Sequence, residues 1–199
     1  MQNNRLVLAS GSPRRKELLA LLGLSFDILV SDADETILPG TNPQQAVQEL
    51  AYRKASAVAN TLDGSEPGRV VLGADTIVVV DGEILGKPAD RDDAARMLRL
   101  LSGRAHAVYT GIALVETGGG RVVRDVRGTE VVMKELRDEQ IQAYISTGEP
   151  MDKAGAYAIQ GKAVQFITEI HGDYTNVVGL PVSMTADRLA EFGFDVRPR

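Results

Sequence analysis

Strand-like and helix-like segments take turns along almost the whole chain, and this order constrains the fold more than any other feature of the sequence. Leu6 to Ala9 reads as a buried strand and Ser10-Gly11-Ser12 as a turn. Ser12 carries the hydroxyl that an N-cap needs, and Pro13 suits the first helical position. Leu18, Leu19, Leu21 and Leu22 then supply an apolar face ending at Gly23. Phe26 to Val30 follows as a strand and Ser31 to Glu35 as an acidic loop. Asn42-Pro43 repeats the cap-then-proline signal and opens a helix to about Asn60. Two short strands, Val70 to Leu72 and Ile77 to Val80, flank Gly73-Ala74-Asp75-Thr76, and Asp81-Gly82 makes a hairpin turn into Glu83 to Leu85.

The second half continues the pattern. Asp90 caps a helix through Leu101, stopped by Ser102-Gly103. Val108 to Val115 and Arg121 to Met133 alternate as strands do, joined by Gly118-Gly119-Gly120, which equally suits a loop tip at the edge of a second lobe. Asp138 to Ser146 is a helix closed by Gly148, and Val164 to Ile170 a strand. Gly172-Asp173 is a turn, and Pro181 to Phe192 a last helix. No internal repeat or linker interrupts this order; the softest stretch, residues 63 to 68, reads as a surface loop. The expected architecture is one α/β domain over residues 1–199, with a mixed central sheet flanked by helices.

Composition narrows the chemistry. The 199 residues suffice for one substantial core, and 44% hydrophobic with 25% charged residues is ordinary for a globular chain. There is no cysteine, which removes disulfides, thiol nucleophiles and thiolate zinc sites together. The two histidines, His106 and His171, lack ligand-like spacing, so a metal would take oxygen ligands, as Mg²⁺ or Mn²⁺ does. A formal net charge of -5 argues against a nucleic-acid partner and makes any anion site a local one. Leu6 to Ala9 is too short for a signal or a membrane span, so the expected location is the cytoplasm.

Several residues break the local rules. Arg14, Arg15 and Lys16 fall in the first turn of a helix, where the macrodipole favours negative charge. A strand, a Gly/Ser turn and a basic helix start together form either a phosphate cradle or a solvated basic turn. Lys54 lies on the same helical face as Val47, Leu50, Ala51, Ala55 and Val58, and so either snorkels past the core or points at an anion. Asp75 sits within an apolar run, where a carboxylate must be paired, hydrogen-bonded or metal-bound, the bland version being a turn aspartate. Lys87 is directed by the following Pro88, or is an ordinary loop lysine. Asp32, Asp34 and Glu35 offer hard-metal oxygens or a solvated acidic loop, and Asp152-Lys153 reads as a structural ion pair. Four cations from three separated segments and a few carboxylates point to phosphoryl chemistry, without selecting the bond or the base.

Beyond that point a resemblance adds detail. The run Leu8-Ala9-Ser10-Gly11-Ser12-Pro13-Arg14-Arg15-Lys16-Glu17-Leu18-Leu19 resembles the signature of the Maf family, also called septum formation inhibitors. The likeness continues through Lys54, Gly73 to Thr76, Gly86-Lys87-Pro88, Leu101-Ser102-Gly103, Asp152 to Gly161 and Asn176 to Pro181. Several ordered motifs in one chain are far more specific than any one alone. The resemblance implies an ITPase-like fold of two lobes around an active-site cleft. It also implies a nucleoside triphosphate pyrophosphatase with a divalent cation, and suggests a homodimer.

By motif match, Asp75 corresponds to the proton acceptor, and Ser10, Arg14, Arg15, Lys54 and Lys87 to polar positions around the phosphates. Glu35 corresponds to an acidic, metal-binding position shared with Asp75. Arg14, Thr76 and Gln160 match the branch that acts on dTTP and UTP, and an amide such as Gln160 can donate to a pyrimidine O4 and accept from N3–H. Ala158 stands where a glycine is common. The family's link to septum formation leaves a second reading, a regulator that binds a triphosphate without turning it over.

Overall fold

A computed structural model describes residues 5–38, 40–62 and 68–197. The element order is β1 (Arg5–Leu8), α1 (Pro13–Ala20), β2 (Phe26–Ile28), α2 (Pro43–Thr61), β3 (Arg69–Val80), β4 (Glu83–Leu85), α3 (Arg91–Leu101), β5 (Ala105–Glu116), β6 (Val122–Met133), α4 (Asp138–Ser146), β7 (Ile167–His171), α5 (Tyr174–Val178) and α6 (Val182–Glu191). Three short 3₁₀ segments lie between α4 and β7. The strands form a seven-stranded sheet in the order β2-β1-β3-β5-β6-β7, with β4 added to β3. Strand β1 pairs parallel with β2 and β3, whereas β4 on β3 and β7 on β6 are antiparallel. The expected mixed α/β sheet with flanking helices is therefore present.

The chain divides into two compact units: residues 1–75, 110–127 and 179–199, and residues 76–109 and 128–178. Strands β3, β5 and β6 each contribute one stretch to either unit. In the first unit, Val7, Ala9, Val71, Ala113 and Val115 of the sheet pack against Ala51, Ala55, Val58 and Ala59 of α2. The small residues bring helix and sheet unusually close. A Cβ on Gly73 would lie 2.2 Å from the Ala51 carbonyl oxygen and 2.8 Å from Ala55 N, and one on Gly111 would lie 2.4 Å from the Val47 carbonyl. Glycine at both positions lets the backbone of α2 sit directly on β3 and β5. In the second unit, α3 and α4 pack together and bury Leu98, Leu101, Ile141, Tyr144 and Ile145.

Three helix starts follow from local chemistry. Ser12 caps α1, Asn42 caps α2 through Gln44 and Gln45 N–H, and Asp90 caps α3 through Asp93 N–H. Asp81 (φ 51°) and Gly82 (φ 81°) both adopt the left-handed backbone that a two-residue hairpin turn demands.

Three sequence expectations need correction. Gly73 to Thr76 does not separate two strands; it lies inside the continuous β3, where the missing Cβ of Gly73 serves α2 packing. Leu21 is 72% exposed, because α1 ends at Ala20 and the chain turns before Leu21 reaches the core. The last strand starts at Ile167, since Lys162–Phe166 closes into a 3₁₀ turn that buries Ala163 and Phe166. Asp173 also does more than turn the chain, because its carboxylate accepts from Thr175 and Asn176 N–H and starts α5. Gly118 to Gly120 joins β5 to β6 within the first unit. Of the soft stretch, residues 63–67 lie outside the described residues, and Gly68 is a turn with φ 93°.

Candidate active site

Strand geometry explains why a carboxylate sits inside β3. Residues two apart along a strand share a face, so Asp75 leaves on the face where Gly73 meets α2. Ala51 and Ala55 hold that helix against Gly73, which brings Lys54 alongside Asp75. Lys54 Nζ lies 2.6 Å from Asp75 Oδ1 and 3.2 Å from Glu35 Oε1. Both partners of the first pair are about nine-tenths buried, whereas Glu35 is 56% exposed. Lys54 does not snorkel; it bridges two carboxylates from separate segments.

The loop bearing Glu35 has its own supports. Asp34 accepts from the backbone N–H and the hydroxyl of Thr36, and these hydrogen bonds lower its pKa. Arg53, the neighbour of Lys54, donates to the Thr36 carbonyl at 3.2 Å and pairs with Glu49. Arg124 in turn bonds Glu49 and lies 3.4 Å from the centroid of the Tyr52 ring. Two successive residues of α2 therefore grip the acidic loop, Arg53 by its backbone and Lys54 by its carboxylate. Arg53 carries no signal in the sequence beyond its place next to Lys54.

The basic start of α1 faces the same group of residues. Ser12 Oγ accepts from Arg15 N–H, and Ser10 Oγ accepts from Ser12 N–H at 3.3 Å and from the Arg15 guanidinium at 3.4 Å. Arg15 Nε donates to the Gly179 carbonyl at 2.9 Å, a contact spanning 164 residues of sequence. Burial pulls the Arg15 pKa down; Asp75 opposes this, Arg14 adds to it, and Glu35 opposes it. Helices α3 and α4 carry Asp92, Asp93, Asp138 and Glu139 in their first turns, as the macrodipole favours, whereas α1, which like α2, α5 and α6 has no acidic residue there, places Arg14 and Arg15 in that turn. A half-buried pair of like charges at an N-terminus is the arrangement that an anion relieves. Gly179 belongs to a motif noticed in the sequence, but its carbonyl role was not.

The remaining candidates belong to the second unit. Thr76 follows Asp75 in β3 and is half-buried. Lys87 is exposed, and the Gly86 carbonyl before it accepts from Gly155 N–H at 3.0 Å. Gln160 is exposed in the turn that follows Ile159. Asp152 and Lys153 do form an ion pair with each other. His106 is buried and hydrogen-bonded to Tyr157 Oη at 2.7 Å, whereas His171 is exposed beside Glu169. Thus the first unit gathers Ser10, Arg15, Glu35, Lys54 and Asp75, and the second carries Thr76, Lys87 and Gln160.

Comparison with known proteins gives this grouping a family. The family described as Maf-like protein matches residues 5–192. The chain belongs to the Maf family. Its relatives include a protein of Pelotomaculum thermopropionicum, 50% identical over 191 residues, which cover 96% of this chain and 98% of that one. Another, from Acetivibrio thermocellus, is 52% identical over 195 residues, covering 96% and 97% respectively. A third, from Alkaliphilus metalliredigens, is 54% identical over 178 residues, covering 89% and 91%. All three are named dTTP/UTP pyrophosphatase. Among solved structures, the Ham1 protein of Staphylococcus aureus aligns with a TM-score of 0.47 at 15% identity, covering 65% of this Maf chain and 72% of that one. No described helix of the Maf chain is long and apolar enough to cross a membrane.

Proposed function

We propose that this Maf chain is a nucleoside triphosphate pyrophosphatase that hydrolyses dTTP and UTP to the monophosphate and pyrophosphate. The observation that carries the reading is the Lys54 bridge between Asp75 and Glu35, with Arg15 held close by Ser10 and Gly179. The relatives' shared name supplies the substrate class.

In the proposed reaction, a water oxygen attacks the α-phosphorus while Asp75 takes a proton from that water. The bond from the α-phosphorus to the bridging oxygen breaks, and pyrophosphate leaves. Arg15 and Lys54 offset the charge that develops on the phosphates, while Ser10 and the Gly179 carbonyl keep the guanidinium aimed. Lys87 is assigned to the leaving group, Arg14 to phosphate recognition, and Arg14, Thr76 and Gln160 to substrate selection, in line with the resemblance.

A divalent cation fits the oxygen donors present. Among the described residues, no three His, Asp or Glu side chains gather into a metal-binding group. Glu35 and Asp75, the acidic positions that the resemblance matches, would hold the ion as two carboxylates, hard oxygen donors of the kind Mg²⁺ takes. When bound, the ion would neutralise triphosphate charge and polarise the scissile phosphorus. A cytoplasmic location and a homodimer complete the proposal.

The deciding experiment follows dTTP and UTP with Mg²⁺ or Mn²⁺ and identifies the products. Pyrophosphate and monophosphate over many turnovers are expected, with Asp75→Asn about 10²–10⁴-fold slower in kcat and the fold intact. Stoichiometric binding without product would instead establish the regulator reading.

A further inference from the structure

The turn that presents Gln160 is tied at both ends to one carboxylate that takes no part in the proposed chemistry. Gly161 N–H donates to the Ala158 carbonyl at 3.0 Å, closing the turn on itself. On its leading side, Ala158 N–H donates to Tyr144 Oη at 3.2 Å, and that hydroxyl donates to Glu149 Oε1 at 2.8 Å. On its trailing side, Lys162 N–H donates to Glu149 Oε2 at 3.1 Å. Gly161 admits this close approach, since a Cβ there would lie 2.2 Å from Glu149 Oε1. Tyr144 is itself anchored: it is buried on α4, and its ring meets Phe166 edge-on at 5.5 Å between centroids. Burial, followed by the hydrogen bond to Glu149, raises the Tyr144 pKa, so the hydroxyl keeps the proton it donates.

We propose that Glu149 and Tyr144 are positioning residues for pyrimidine selection, acting by fixing the Ala158–Lys162 turn that bears Gln160. The inference rests on the proposed function and on the role given there to Gln160. An exposed residue on a short turn has few packing contacts, so its backbone direction depends on the hydrogen bonds at the turn's ends. Here those bonds converge on one side chain, and loosening it spreads the amide over many orientations. An amide that must donate to O4 and accept from N3–H together loses affinity when its direction is spread. Phosphate attack does not use this turn, so the loss belongs to KM and not to kcat.

The test measures kcat and KM for dTTP, UTP and inorganic tripolyphosphate, which has no base to read, in wild type, Glu149→Ala, Tyr144→Phe, Gln160→Ala and the Glu149→Ala/Gln160→Ala pair. Thermal melts of each variant accompany the kinetics. KM for dTTP and UTP should rise about tenfold in Glu149→Ala, the worth of about one hydrogen bond. A smaller rise is expected in Tyr144→Phe, with kcat and the tripolyphosphate parameters within about twofold in both. In the Gln160→Ala background, Glu149→Ala should add nothing further, because the residue it positions is gone. If Glu149→Ala fails to fold, Tyr144→Phe, which removes one oxygen, carries the test. Unchanged pyrimidine KM in the folded variants overturns the clamp, as do effects that multiply with Gln160→Ala or fall equally on tripolyphosphate. Wild-type protein that leaves dTTP and UTP intact overturns the proposed function and the clamp with it.

Discussion

Replacing Gly73 by alanine tests how strictly the fold sets the Lys54–Asp75 pair. The new Cβ would sit 2.2 Å from the Ala51 carbonyl oxygen, about 1 Å inside a normal carbon–oxygen contact of about 3.3 Å. Ala55 N at 2.8 Å and Ala55 Cβ at 3.0 Å block a sideways escape. The obstructing atoms are helix backbone, so α2 has to move away from β3 by most of that shortfall. Overpacking of this kind costs about 1–3 kcal/mol, which for a chain of this length lowers Tm by about 4–8 °C at the middle of the range. Lys54 rides on the displaced segment, and a misplacement of about 1 Å can cost about 10²-fold in rate. Far-UV circular dichroism melts give the stability, and kcat and KM on dTTP, determined separately well below the melting temperature, give the rate. Tyr144→Phe, in the other unit, is the comparison, since its effect should fall on KM. A Gly73→Ala protein with wild-type Tm and wild-type kcat/KM would refute the spacing argument.

Other outcomes follow from the same structure. Lys54→Met leaves Asp75 and Glu35 facing each other without their shared cation and should cost about 3 kcal/mol, read by urea denaturation. Asp75→Asn should cost less, since Lys54 keeps Glu35. Glu35→Gln should raise the Mg²⁺ concentration needed for half-maximal turnover of dTTP about tenfold, measured by metal titration, with Tm unchanged. Burial lowers the His106 pKa from 6.5 to about 4, and its Nδ1 has no hydrogen-bond partner among the described residues. The folded protein therefore holds this imidazole neutral while the unfolded chain protonates it. The resulting stability is fully present above pH 6.5 and is lost as pH falls toward 4, by about 3 kcal/mol at most. His106→Gln should flatten that part of the stability–pH curve.

How much the sequence revealed depended on the range of the interaction. The caps Ser12, Asn42 and Asp90 were legible because capping acts over three residues. The start of β7 was not, because Val164, Phe166 and Ile167 offer apolar residues compatible with either a 3₁₀ turn or a strand. Gly73 looked like a break in a strand until α2 was seen pressed on it. Lys54 and Asp75 were legible as residues out of place, a cation on an apolar face and a carboxylate in an apolar run. That they satisfy each other requires α2 on β3. The Arg15–Gly179 bond has no local signature at all, and the Glu149 clamp escaped notice because neither Tyr144 nor Glu149 violates a rule of its own helix or turn.

The lysine between two carboxylates also bears on how a ligand is received. A free lysine side chain samples many rotamers, and freezing it costs about 2 kcal/mol. Lys54 is 11% exposed and held from two sides, so in its proposed phosphate-binding role that loss occurs as the chain folds and not as a triphosphate arrives. An incoming anion meets a charge already fixed in direction, and its own attraction to that charge goes into affinity rather than into ordering the protein.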